Sequence, residues 1–230
     1  MASAWNAGDV REMEDLAGLI QDAGFVPFFR TDGLRSLEDL IVPERWFGDI
    51  EGPWEWKGML ASQKRCVYGK FCANGAAFIA PDLFPALMCI RRNGYDFEGM
   101  WEDGLMTSTA HAIMGHLAEH GPSRAKDVRK AIGKPKDFDR EIVRLQMLTF
   151  LIHRDFVYDI DRYGKPYGWG NALLDTPENM YGMDYVLLAD NYTEETALQT
   201  ILARMMPLIV SQDTDIRPLL MGKRMRRNRI

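Results

Sequence analysis

The sequence has few of the features that mark membrane, secreted or metal-binding proteins. No apolar run approaches the roughly 18 consecutive residues that a membrane span requires, and the first residues lack a basic stretch followed by an apolar core. Three cysteines, Cys66, Cys72 and Cys89, have no metal-ligand spacing and predict reduced thiols. We therefore expect a cytoplasmic protein without a membrane segment.

Motifs for the common catalytic chemistries are missing as well. There is no Gly-rich phosphate loop, no nucleophile elbow and no paired-carboxylate motif. His116 and His120 have the i, i+4 spacing of zinc ligands on a helix, but no third ligand follows at a familiar spacing. The sequence thus predicts neither a metal site nor a cofactor.

A definite order of elements lies between residues 105 and 176. Three helical patterns come first, at 108–120, 125–132 and 138–145. They are followed by a β-rich segment at 149–158, a turn at 161–164 and a return strand through Tyr167 and Trp169. Ser123 is the expected N-cap of the second helix. This order of three helices followed by a hairpin is typical of a winged helix-turn-helix.

Charge is unevenly distributed along the chain. Residues 121–166 contain eleven lysines and arginines against seven aspartates and glutamates, although the whole chain has a net charge of −5. A local excess of this kind indicates a surface that faces phosphates, or an ordinary solvated face. DNA is therefore a candidate partner.

The third helix and the hairpin would supply the contacts to DNA. If Phe138, Ile142 and Leu145 face inward, Arg140, Glu141 and Arg144 point outward. Arg144 could then read a guanine edge, and the other cations would hold phosphates. Those cations are Arg140, Lys126, Lys130 and, at the hairpin, Arg162 and Lys165. The alternative is a winged helix that binds protein or only supports a core.

Aromatic side chains suggest two further sites. If the segment 54–57 is extended, Trp54 and Trp56 lie on one side and Glu55 and Lys57 on the other. Two aromatic walls and a carboxylate would suit an extruded base, but a strand with buried tryptophans and exposed charges is the favoured interpretation. Tyr163, Tyr167 and Trp169 could stack on bases or form cross-strand pairs.

The remaining segments predict an α+β fold in three parts. We expect an N-terminal α+β region (1–104), the winged helix-turn-helix (105–176) and a C-terminal helical segment with a basic tail (177–230). The first part would contain a helix at 9–23, a β-hairpin at 65–80 turning at Asn74 and Gly75, and a turn-rich link at 91–97. The acidic residues between 96 and 103 predict a solvated loop.

Distinctive motifs occupy residues 52–58, 68–71, 91–97, 103–105, 121–133, 138–155 and 163–170. These motifs resemble the AlkZ-related family, a bacterial group named after winged-helix DNA glycosylases that excise alkylated or crosslinked purines. The resemblance implies a DNA-binding winged helix. The glycosylases position water with a Gln-x-Gln or Gln-x-Asp pair, whose nearest match here, Gln146-Met147-Leu148, lacks the second polar residue.

Three functions follow as hypotheses. The first is a DNA-binding protein related to base-excision glycosylases that acts on or senses damaged DNA. The second is a glycosylase in which Trp54 and Trp56 hold the base, Glu55 is an acid or base, and Gln146 positions water. The third is a protein-interaction module with a structural winged helix. The sequence does not specify an oligomeric state.

Overall fold

Helices and strands are mixed throughout the chain, for which the computed structural model describes residues 5–47, 50–73, 75–210 and 215–221. The α-helices of the first half are α1 (Met13–Ala23), α2 (Leu37–Leu40), α3 (Pro43–Phe47), α4 (Pro53–Ser62), α5 (Phe84–Arg92) and α6 (Phe97–Glu102). Those of the second half are α7 (Ser108–His120), α8 (Ala125–Ala131), α9 (Phe138–Met147), α10 (Pro177–Tyr181), α11 (Met183–Leu187), α12 (Glu194–Met205) and α13 (Arg217–Met221). The predicted α+β class is therefore confirmed.

Strands from both halves of the chain form one antiparallel sheet. Its strands are β1 (Phe25–Pro27), β2 (Val67–Cys72), β3 (Gly75–Ile79), β4 (Ser123–Arg124), β5 (Ile152–Ile160) and β6 (Pro166–Asp175). Within the described residues the spatial order is β1-β3-β2-β5-β6-β4. The predicted hairpin at 65–80 is the β2–β3 pair, in which Tyr68 lies opposite Phe78; Asn74 lies outside the described residues.

The sheet is continuous across the expected boundary near residue 104. Tyr68 on β2 pairs with His153 on β5. On the N-terminal side, buried rings such as Phe28, Phe78 and Phe84 form the larger apolar core. A second core, which includes Ile113 and Leu145, lies between helices α7, α8 and α9. The division into three parts stays a prediction, but the sheet joins the first two.

Between residues 105 and 176 the elements follow in the order helix, short strand, helix, helix and hairpin. The helices are α7, α8 and α9, the short strand is β4, and the hairpin is β5–β6. The expectation that Ser123 caps α8 is wrong. Ser123 instead pairs with Leu174 on β6, and its hydroxyl donates to the carbonyl of Gly121 at 3.0 Å.

The expectation that residues 54–57 are extended is also wrong, because they lie in α4. Pro53 occupies the first turn, where its missing N–H costs no helical hydrogen bond. The Glu55 carboxylate accepts a hydrogen bond from the backbone N–H of Gly52 at 2.9 Å, as in a capping box. Residues two apart on a helix point to different sides, so Trp54 and Trp56 share no face.

The predicted link at 91–97 is shorter in the structure, where only residues 93–96 separate two helices, and the prediction of an acidic loop at 96–103 is wrong. Helix α5 continues through Arg91 and Arg92, both of which are buried, and ends at Asn93 in the left-handed conformation. Helix α6 then begins after Asp96, whose carboxylate accepts from the N–H of Gly99 at 2.7 Å. The acidic residues therefore belong to a capped helix.

No helix in the described ranges is long and apolar enough to cross a membrane.

Candidate nucleic-acid interface

Helix α9 carries both arginines expected to face DNA, but a carboxylate lies between them. Glu141 is 1% exposed, with Oε1 3.0 Å from Nη2 of Arg140 and Oε2 3.3 Å from Nη1 of Arg144. The expectation that Glu141 points outward is wrong, since the two guanidinium groups supply the donors that a buried carboxylate needs. Arg140 also pairs with Asp137 at 3.0 Å. Acidic neighbours thus offset much of the positive charge on this face.

We expect Arg144→Ala to lower stability. Arg144 is 29% exposed and donates to the Glu141 carboxylate and the Leu105 carbonyl, so its loss leaves two acceptors short of donors. The free energy of unfolding should fall by about 1–3 kcal/mol, or about 2–4 °C in Tm for each kcal/mol. Arg30→Ala, which removes a highly exposed arginine paired with Asp39, is the control for thermal unfolding, and an equal loss in both variants would contradict this role.

Lys126 and Arg129 of α8, and Arg124 just before it, are also paired. Nζ of Lys126 lies 2.8 Å from Oδ1 of Asp159 on β5. Arg124 contacts Asp127 at 2.6 Å, and Arg129 contacts Asp139 at 3.3 Å. These exposed pairs contribute little to stability, yet they reduce the charge available to a ligand.

Five cations of the same segment form no ion pair within the described part of the chain: Lys130, Lys134, Lys136, Arg162 and Lys165. The three lysines lie at the end of α8 and in the turn before α9, where Gly133 and Lys134 both have positive φ. Arg162 and Lys165 lie at the tip of the β5–β6 hairpin. The positive charge is therefore concentrated at two places.

The hairpin tip has a defined backbone conformation. The Asp161 carboxylate accepts hydrogen bonds from the N–H groups of Tyr163 at 2.8 Å and Lys165 at 2.9 Å. The Arg162 guanidinium lies 4.7 Å from the centre of the Tyr163 ring, which is 72% exposed. Both cations are thus held in a closed turn. The side chains of Tyr167 and Trp169 and the basic tail at 223–229 lie outside the described residues.

Gln146 is fully buried and joins α9 to the sheet. Its Oε1 accepts a hydrogen bond from the N–H of Lys70 at 2.6 Å, and its Nε2 lies 2.9 Å from Nε2 of His153. Because an amide nitrogen only donates, Nε2 of His153 accepts and the ring proton is on Nδ1. Burial, followed by the nearby charges of Lys70 and Lys57, lowers the pKa of His153 to about 3. The Gln146 amide therefore serves to connect a neutral histidine to β2.

Helix α4 places the other candidate residues of the N-terminal region. Glu55 is exposed and caps its own helix, whereas Trp56 is 3% exposed within the larger core. Trp54 is half-buried, with ring centres 5.3 Å from Phe28 and 5.9 Å from Trp46. The two tryptophans therefore have different surroundings, and neither position follows from an extended segment.

Lys57 occupies an aromatic slot that sequence reasoning missed. Its Nζ lies 4.7 Å from the centre of the Trp54 ring and 4.2 Å from that of Phe156 on β5. It forms no ion pair with the described residues. Burial, with a smaller effect from Lys70, lowers the pKa of Lys57 to about 8, although Glu55 opposes the shift. Phe156 is distant in sequence, so no local pattern could have indicated this pair.

Across the described ranges, no group of three His, Cys, Asp or Glu side chains could hold a metal ion. His116 and His120 stack on each other with ring centres 4.4 Å apart. The sequence signal for the three unpaired lysines around Lys134 is the Lys-Pro-Lys run at 134–136, which lies between the second and third helical patterns.

Comparison with known proteins gives one match. No curated protein and no solved structure matches the chain. A family model described as AlkZ related matches residues 10–216, which include α1 to α12 and the entire sheet. The family expected from the sequence motifs is thereby confirmed. The protein belongs to the AlkZ-related family.

Proposed function

We propose that residues 105–176 form a winged helix-turn-helix that binds duplex DNA, and that the protein acts on or senses damaged DNA. The AlkZ-related family suggests a relation to DNA glycosylase-like proteins. The element order also supports the proposal. In winged helices the third helix usually enters the major groove, and the hairpin reaches a neighbouring groove or the backbone.

The observation that carries the proposal is the position of the unpaired cations. Lys130, Lys134 and Lys136 lie just before α9, and Arg162 and Lys165 lie at the hairpin tip. These are the two parts of a winged helix that flank its recognition helix. An ammonium or guanidinium group without a carboxylate partner can bind a phosphate without first breaking an ion pair.

The ion pairs of α8 and α9 limit how well the proposed interface could recognise particular DNA bases. Arg144 is held by Glu141 and the Leu105 carbonyl, and Lys126 is held by Asp159. A guanine contact from Arg144 would compete with these bonds. Phosphate contacts position a protein on DNA but carry no sequence information. We therefore propose binding with little sequence preference.

Fluorescence anisotropy with a labelled duplex, repeated from low to physiological salt, tests this. Five phosphate contacts should give a slope of log affinity against log salt of roughly −4 to −5. Lys134→Ala and Lys165→Ala should each weaken binding and make the slope shallower by about 1. Arg30→Ala, which removes an exposed arginine from the N-terminal region, should change neither quantity. No binding at low salt would contradict the proposal.

A protein-interaction module without DNA binding is the second candidate. The ion pairs that offset Arg140, Arg144 and Lys126 favour it, because they leave the α9 face nearly balanced in charge. It predicts no salt-dependent affinity for DNA in the same titration. The proposal gives Gln146 no catalytic role, because both ends of its amide already bind Lys70 and His153.

A further inference from the structure

We propose that Lys57 is an amine nucleophile that forms an imine with the ring-opened aldehyde of an abasic deoxyribose. The choice of aldehyde rests on the proposed function, because DNA binding would bring this group to the protein. The reactivity of Lys57 rests on its own surroundings and can be measured without DNA.

The position of the amine supports this reactivity. Nζ of Lys57 lies between the rings of Trp54 on α4 and Phe156 on β5, and no described carboxylate pairs with it. The residue is half-buried, so its side chain is partly shielded from solvent. Lysine nucleophiles are activated by an apolar pocket or by a neighbouring cation.

Charged and titratable groups face Lys57 from three elements. They are Glu55 on α4, Lys70 on β2 and His153 on β5, and Tyr158 of β5 interacts with the same Glu55. Lys70 supplies the neighbouring cation, and His153 is neutral. With a pKa of about 8 for Lys57, about a quarter of the amine is uncharged at pH 7.5, against about 0.1% for an ordinary lysine.

The slot and the proposed DNA contacts lie on the same hairpin. Phe156 is four residues before the end of β5 at Ile160, and Arg162 follows at the tip. At about 3.3 Å per residue, the backbones of Phe156 and Arg162 are at most about 20 Å apart. One turn of duplex is about 34 Å long. A single bound duplex could therefore contact the hairpin tip and present a damaged sugar to Lys57.

The reaction is balanced without an oxidant or reductant. The neutral amine adds to the C1′ carbonyl, and the carbinolamine loses one water to give the imine. Protonation of the imine acidifies the C2′ hydrogen, which leaves as a proton to a carboxylate while the C3′–O bond breaks and the 3′-phosphate departs. Asp155, the residue before Phe156, would be this carboxylate; it lies against α4, since a Cβ on Gly58 would lie 2.8 Å from its Oδ1.

The test uses the full chain and two aldehydes. Propanal with cyanoborohydride at pH 7.5, followed by peptide mass spectrometry, should alkylate Lys57 at least tenfold faster than the exposed Lys136. Lys70→Ala should slow the labelling of Lys57, because the neighbouring charge is gone. A duplex with one abasic site and borohydride should give a covalent adduct. Lys57→Arg, which keeps the cation between the rings, should abolish the adduct and retain DNA binding.

Each other outcome has a definite meaning. Labelling of Lys57 at the rate of Lys136 overturns the inference. Fast labelling without an adduct, on abasic DNA that anisotropy shows to be bound, overturns the assignment of the aldehyde. Fast labelling without any DNA binding overturns the proposed function and the abasic substrate together. An adduct that persists in Lys57→Arg assigns the nucleophile to another lysine and overturns the inference.

Discussion

Replacing Arg91 by methionine is expected to lower the free energy of unfolding by about 3–5 kcal/mol, because several buried acceptors lose their donor at once. Arg91 is 6% exposed, and its guanidinium donates to carbonyls of Phe71, Met147, Leu219 and Leu220. Methionine fills much of the same volume but donates no hydrogen bond. The substitution therefore leaves four carbonyls without this donor, and unsatisfied buried acceptors are costly.

Urea unfolding followed by tryptophan fluorescence would measure this loss. Hydrogen exchange should also speed up in α13 (Arg217–Met221), because two of the four carbonyls belong to that helix. Arg65→Met is the matched control. Its guanidinium pairs with the exposed Glu14, so the urea midpoint should hardly move. If Arg91→Met behaved like the control, solvent would be satisfying the carbonyls.

Gly52→Ala should lower the free energy of unfolding by about 2–4 kcal/mol. A Cβ at Gly52 would lie 2.1 Å from the carbonyl oxygen of Arg45, and backbone at that distance has to move. Gly52 also starts α4, since its carbonyl accepts from the N–H groups of Glu55 at 3.0 Å and Trp56 at 2.9 Å. A shift here would displace the helix that holds Lys57.

Gly115→Ala is the control for Gly52→Ala. Gly115 lies within α7, and an added Cβ would meet nothing within 4 Å. Alanine should therefore raise the free energy of unfolding by about 0.5–1 kcal/mol through its higher helix propensity. Thermal or urea unfolding of both variants separates the contact with Arg45 from a general effect of replacing glycine. Equal stability of the two variants would show that α3 and α4 readjust at little cost.

The sequence predicted the elements between residues 105 and 176 best. The apolar spacing of Phe138, Ile142 and Leu145 is a local signal, and α9 begins at Phe138. The signal failed at 54–57, where four alternating residues resemble a strand. There the preceding Gly-Pro pair and the cap made by Glu55 determine a helix. Alternation of aromatic and charged residues over four positions is weaker evidence for a strand than the Gly-Pro pair and the capping Glu55 are for a helix start.

The candidate site was harder to predict than the fold. Whether an arginine is available to a ligand depends on carboxylates that the fold brings near it. Lys126 meets Asp159 from 33 residues away, and Lys57 meets Phe156 from a still greater separation. Arg91 and Arg92, predicted to lie in a turn-rich link, instead form a buried helix end, where charged side chains are rarely found.

The pairing of β2 with β5 has a consequence for how such a protein can evolve. β5 pairs with β6 along one edge and with β2 along the other. The Gln146 amide also hydrogen-bonds Lys70 of β2 and His153 of β5. A recombination event that moved residues 105–176 into another gene would expose that edge as a template for aggregation. It would also remove the backbone donor of Lys70 from Gln146. We therefore expect residues 105–176 to be transferred successfully only together with the N-terminal hairpin.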